Sequence, residues 1–250
     1  MSVTEIEFGL RLPFRKSMFG SDPEQKAYFT PFAVFFGVMM LGQLVAGLFD
    51  GYAFWPVAAP QYWVHPAQTL ICGALLLRWR RFYEWRPPTH LLFTIAVGIL
   101  AFVLWVSPLA YLVEAIHPKS ARVPGFDPAF FGASSWPYWL NLGCRFLRLV
   151  VIVPLVEEIF WRGFLLRWLI DADFTKVPFG RFEWKSFALV SVFFMLEHAP
   201  ADWPAALLTG ALFNLVAIHT RSLASCVLVH GVTNLLLGIY ILRTGHTGFW

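Results

Sequence analysis

Apolar residues run along this chain in stretches long enough to cross a bilayer core of about 30 Å, which takes roughly 20 helical residues. Seven stretches stand out, over 28–49, 62–77, 91–113, 139–166, 187–198 with its flanks, 204–218 and 223–242. The fifth and sixth are short, which suits a tilted, kinked or partly re-entrant passage, and an eighth can hide in 126–136. The pattern predicts an all-α polytopic bundle of seven or eight transmembrane helices. Residues 1–27 form a cytoplasmic arm and residues 28–250 a single integral membrane domain in this reading.

The polar intervals orient the bundle. Arg78, Arg80, Arg81 and Arg86 form the densest basic cluster and join the second and third spans, so the positive-inside rule puts them, and the N-terminus, in the cytoplasm. Alternation then leaves 171–185, with Lys176, Arg181 and Lys185, on the same side together with Arg221, and puts 114–137 and 244–250 outside. Trp55, Trp63, Trp79, Trp136, Trp139, Trp184, Trp203 and Trp250 fit an interfacial aromatic belt.

Composition agrees with this picture. The chain is 58% hydrophobic and 14% charged, against about 45–50% and about 25% in soluble domains. The net charge of +4 is small and gathers at helix ends, which points to topology and lipid headgroups and away from nucleic acid. Cys72, Cys144 and Cys226 are odd in number and sit in apolar stretches, unlike a secreted disulfide framework. The first 26 residues carry Arg11, Arg15, Lys16 and Lys26 without an apolar run long enough for a signal peptide, which predicts a retained arm.

An ionisable residue at mid-span costs about 2.5–3.5 kcal/mol on insertion scales, so charge inside the membrane is the search key for function. The fourth span carries Arg145, Arg148, Glu157, Glu158 and Arg162. Glu158 and Arg162 are four residues apart on one face and form a structural ion pair in this reading. Glu157, turned by about 100°, is the carboxylate free to face a cavity. Pro154 removes one helical hydrogen bond beside it. Arg145 is expected to snorkel to the outer headgroups, and Arg148 either pairs inside the bundle or holds a substrate carboxylate. His198 follows Phe194 by four residues, and Asn234 follows His230 by four. Measured from the basic loops at about 1.5 Å per residue, Glu157 and His198 each lie roughly 20 Å deep and Asn234 somewhat less, so they can meet. A carboxylate and an imidazole sharing a water activate it, and a second histidine with an amide can donate to a tetrahedral oxyanion.

Taken in order, Glu157-Glu158-x-x-x-Arg162, Phe194-x-x-x-His198 and His230-x-x-x-Asn234 resemble the motif set of the type II CAAX prenyl endopeptidase and bacteriocin-processing (CPBP) family of intramembrane proteases, over about 139–250. The FWRGFLLRWLID run, residues 177–184 and HGVTNLLLGIYIL further resemble the bacterial subgroup that accompanies exosortase sorting systems. The resemblance implies an endopeptidase acting on a membrane-associated polypeptide in the bacterial inner membrane. Glu157 and His198 would activate water, His230 and Asn234 would form the oxyanion hole, and Glu158, Arg162 and Phe194 would support the site. Residues 1–138 carry no recognised motif.

Other readings are weaker. No His-Glu-x-x-His occurs, since Glu197-His198 runs in the wrong order. Ser107 and Ser191 lack a Gly-x-Ser context, and Asp50 and Asp202 lie at span ends. A catalytically inactive scaffold, or an immunity or sorting accessory protein, keeps the fold without turnover. A zinc site of Glu157, His198 and His230 with an open position also remains open. Two features favour no cofactor: Glu158 is committed to Arg162 and so not free to orient an imidazole, and Asn234 suits an amide donor aimed at developing negative charge.

Overall fold

The structure, a computed structural model, describes residues 22–107, 111–116 and 125–249, and among these there is no strand. Most of the expected N-terminal arm, with Arg11, Arg15 and Lys16, lies outside the described residues, as does Trp250. Among the described residues, seven long helical rods make up an all-α membrane bundle. They are α1 Pro23–Leu48, α2 Gln61–Trp79, α3 Leu91–Val106, a composite α4, then α5 Trp184–Glu197, α6 Trp203–Thr220 and α7 Leu223–Thr244. The α4 rod starts as Trp136–Leu147, passes through π-helix at Arg148–Ile152, α-helix at Val153–Glu158 and π-helix at Ile159–Leu165, and ends at Leu166–Trp168. Among the described residues, three helices are long and apolar enough to cross a membrane, Pro23–Leu48, Pro200–Thr220 and Leu223–Thr244, while Leu91–Val106 is apolar but shorter.

Local chemistry sets the boundaries. Asp22, Ser135 and Ser222 cap α1, α4 and α7 by accepting from the amides of Glu24, Tyr138 and Ser225, with proline in the first turn of the first two. The third rod ends at Val106 and not at residue 113 as the hydrophobicity suggests. Ser107 is extended (φ −76°, ψ 169°), because Pro108 follows it and the residue before a proline is disfavoured in the α region; Leu112–Ile116 is a separate short helix. The suggested eighth span does not form. Residues 126–136 hold only a 3-10 turn, Pro128–Phe131, before the start of α4. Phe130 of that turn stacks on Tyr62 at 4.2 Å between ring centroids.

The polar loops separate into two ends. At one end Arg167 pairs with Glu84 at 2.6 Å, Tyr28 meets the Phe174 ring, and the Ser222 hydroxyl donates to the Arg86 carbonyl. The arginine cluster, residues 171–185 and Arg221 therefore share that end. At the other, the Gln61 amide donates to the Gly125 carbonyl and Phe249 packs on Tyr240.

Between the ends, backbone groups freed by prolines find side-chain partners. Pro31 has no amide hydrogen for the carbonyl four residues earlier, and the Tyr83 hydroxyl donates to that Ala27 oxygen at 3.1 Å. Close rod contacts use small residues: a Cβ on Gly98 of α3 would stand 3.0 Å from the Val229 carbonyl oxygen of α7, and Thr233 Oγ1 donates to the Gly98 carbonyl at that crossing. Large apolar side chains such as Leu70, Leu77 and Leu92 point outward, 69–87% exposed, which suits a lipid-facing surface.

Tyr83→Phe leaves the Ala27 carbonyl buried and unpaired, which should cost about 1–3 kcal/mol. Thermal unfolding of the purified protein in detergent should show a lower midpoint for this variant and no change for Tyr52→Phe, whose side chain is exposed.

Candidate active site

The fourth rod carries the polar centre, and its geometry starts at Arg162. This guanidinium is fully buried and uses all three nitrogens: Nε donates to Asn214 Oδ1 (3.1 Å), one terminal nitrogen to Glu158 Oε1 (3.0 Å), the other to the Gly210 carbonyl (3.1 Å). The Phe194 and Phe213 rings lie 4.9 and 5.4 Å from its Cζ. Asn214 cannot turn over, because its Nδ2 donates to Ser191 Oγ and the Phe187 carbonyl. Gly210 is tight against α5, where a Cβ would come within 3.1 Å of the Phe194 ring. One arginine thus joins α4, α5 and α6.

Glu158 holds more than Arg162. Its Oε1 also accepts from His230 Nδ1 at 2.8 Å, which corrects the expectation that this carboxylate is committed to the arginine alone. A carboxylate can only accept here, so a proton sits on His230 Nδ1 and Nε2 is the ring nitrogen not engaged by Glu158. His198 follows the same logic with a different acceptor. It caps α5 with extended backbone (φ −91°, ψ 162°), and its Nδ1 lies 2.7 Å from the Phe194 carbonyl. That carbonyl also requires a hydrogen on Nδ1, leaving Nε2 as a lone pair. Phe194 therefore serves the site twice, with its carbonyl and with its ring, which lies 4.9 Å from the His198 ring.

Asn234 is tied to the distortion of α4. In the π register the Val153 amide bonds to the Arg148 carbonyl, so the next carbonyl, Leu149, would need an amide hydrogen from residue 154, which is proline. Asn234 Nδ2 fills that role at 2.9 Å. The backbone opening expected beside Pro154 is present, and one of the two Asn234 amide hydrogens stays available.

Glu157, His198, His230 and Asn234 all line one cavity of about 580 Å³. Glu157 is 6% exposed and its Oε2 has no hydrogen-bond partner. Arg148, 8% exposed, lines the same cavity. Arg145 does not snorkel to the headgroups. It is 4% exposed, also in the cavity wall, with a terminal nitrogen 3.3 Å from His65 Nε2. The arginine sits on the inward face of α4, where proximity to a helix end gives no route to lipid. Gln61, Gly125, Phe126 and Phe249 mark the end of the cavity away from the arginine cluster.

The sequence reading passed over Glu197. It ends α5, lines the cavity, and accepts from the Trp161 indole at 2.8 Å. The search for ionisable residues inside apolar spans, applied to the fifth span as it was to the fourth, would have found it. Among the described residues no three His, Cys, Asp or Glu side chains gather closely enough to hold a metal ion.

A cavity walled by carboxylates, imidazoles and guanidinium groups inside an all-helical membrane bundle is a layout suited to hydrolysis within the membrane. Residues 139–236, 98 of the 250 in the chain, match the family model described as type II CAAX prenyl endopeptidase Rce1-like. All three spaced motifs fall within that stretch. No curated protein and no solved structure matches the chain.

Removing Arg162 strands Glu158 in a buried site, with a typical cost of about 3–5 kcal/mol. Arg162→Ala should reduce the yield of folded protein in membranes, measured by size-exclusion profile after extraction, whereas Glu157→Gln should match the wild type.

Proposed function

We propose that the protein is an intramembrane endopeptidase in which Glu157 and His198 activate a water and Asn234 and His230 stabilise the oxyanion. The observation that carries this reading is the convergence of the buried, unpartnered Glu157 Oε2 and the cavity-lining histidines on one cavity. Glu157 takes a proton as the water oxygen attacks the peptide carbonyl carbon, and the His198 Nε2 lone pair accepts from the same water and orients it. The second amide hydrogen of Asn234 donates to the carbonyl oxygen as it gains charge, joined by Nε2–H of His230 when that ring is protonated against Glu158. The proton held on Glu157 then passes to the amide nitrogen, the C–N bond breaks, and the site returns to its starting state.

The substrate in this proposal is a membrane-associated polypeptide. The arginine-rich end faces the cytoplasm of a bacterium, and the bundle crosses its inner membrane in seven passes. The resemblance of the C-terminal half to the exosortase-associated subgroup supports a role in processing sorted proteins. An inactive scaffold or sorting accessory is the competing role, and the intact set of water-activating and oxyanion-donating groups speaks against it.

A metal-dependent variant has specific support. Both imidazoles have Nδ1 occupied and present Nε2 lone pairs, and Glu158 stands behind His230 as the carboxylate partner that metal-bound histidines usually have. Glu157, His198 and His230 would be the ligands, and zinc would supply a more acidic bound water. The glutamate route is favoured by Asn234, whose amide suits a donor aimed at developing negative charge that a metal would otherwise neutralise.

Terminal peptide mapping of membrane proteins from cells with wild-type protein and with Glu157→Gln should reveal termini made only by the wild type. Identical maps would indicate the scaffold role. For a substrate found that way, purified enzyme stripped by a chelator and verified by elemental analysis should keep cleaving; loss of activity restored by stoichiometric zinc would select the metal-dependent route.

A further inference from the structure

One buried cation has no assignment in this mechanism. Arg148 lies in the π-helical stretch of α4 and is 8% exposed, with its Nε donating to Gln68 Oε1 at 2.7 Å and its Cζ 4.8 Å from the Phe35 ring centroid. No carboxylate among the described residues lies within ion-pair distance of it. Gln68 is itself fully buried and cannot turn over, because its Nε2 donates to the Phe35 carbonyl at 2.7 Å and so directs Oε1 at the arginine. The guanidinium is thus fixed edge and face by neutral groups, and the residue lines the same cavity as Glu157. A second buried guanidinium, Arg145, contacts His65 on the same cavity wall.

A planar cation buried in a membrane bundle and held by an amide and an aromatic ring is organised for an anion that arrives from outside. We infer that Arg148, positioned by Gln68 and Phe35, anchors a carboxylate of the bound polypeptide and is a specificity determinant of this cavity. The fork of the guanidinium matches a carboxylate with two parallel hydrogen bonds, which an ammonium group cannot reproduce. Two sources share this chemistry: the terminal carboxylate of a chain end and the side chain of an acidic residue. The identity of the ligand as a peptide rests on the endopeptidase reading; the carboxylate site does not.

Binding can be read without turnover. The full-length wild-type protein in lipid nanodiscs is titrated calorimetrically with N-acetyl-leucyl-phenylalanyl-leucine as the free acid, with its C-terminal amide, and with an amide-ended analogue carrying an internal glutamate. At least one acidic peptide should bind about tenfold or more tightly than the neutral amide, and the tighter of the two identifies the source. Arg148→Gln should abolish this preference, Arg148→Lys should recover only part of it, and Gln68→Met should weaken it while sparing the neutral peptide. Equal affinity of the wild type for all three peptides, including none detectable, overturns the inference; so does a preference that survives in folded Arg148→Gln. If Arg148→Gln does not fold, the wild-type comparison and Gln68→Met decide. A clear acid preference in a protein whose peptide maps match those of Glu157→Gln cells would remove the peptidase reading and keep the subsite; cleavage without any acid preference would do the reverse.

Discussion

The arrangement depends on one oxygen. Glu158 Oε1 accepts from both Arg162 and His230 in a site where neither Glu158 nor Arg162 has any exposure. Buried charge is costly unless paired and fully hydrogen-bonded. Here the compensation runs through three further helices: Arg162 to Asn214 and Gly210 on α6, Asn214 to Ser191 on α5, and Glu158 to His230 on α7. The packing of the bundle and the protonation pattern of His230 are therefore consequences of the same contact. Glu157, one residue earlier, is left out of this network by the rotation of the helix and faces the cavity instead.

A second constraint comes from α4 itself. Its two π stretches shift the hydrogen-bond register on either side of the carboxylates, and Pro154 removes a donor within the first shift. The carbonyl left over at Leu149 engages Asn234 on α7. A helix irregularity is thereby converted into a fixed amide position beside the cavity, much as Pro31 is matched by Tyr83 elsewhere in the bundle. In a lipid environment, where water cannot compensate an open backbone group, each irregularity requires such a partner.

The seven rods and the three spaced motifs were legible from the sequence, because apolar length and i, i+4 spacing are local signals. Glu158 with Arg162 could be paired from spacing alone. What was not legible rests on contacts distant along the chain: Gln68 on Arg148, Asn214 on Arg162, and the second bond of Glu158 to His230. Arg145 was misjudged for a related reason, since position along a helix was visible in the sequence but the face turned to the interior was not. The third helix was drawn too long because hydrophobicity continues past residue 106 while the backbone preference before Pro108 does not.

The Phe194 carbonyl and Glu158 fix the two cavity-lining histidines with their protons on Nδ1, which leaves Nε2 of each ring outside those bonds. Nitrogen-15 NMR of histidine-labelled protein in lipid, with the His198 and His230 signals assigned by single replacement with glutamine, reads this directly. The account predicts a neutral His198 in the Nδ1–H form, and His230 with Nδ1 always protonated and Nε2 either bare or, in the imidazolium, protonated as well. A neutral Nε2–H form at either histidine would contradict it, because that tautomer is incompatible with the hydrogen bonds on which the proposed site is built.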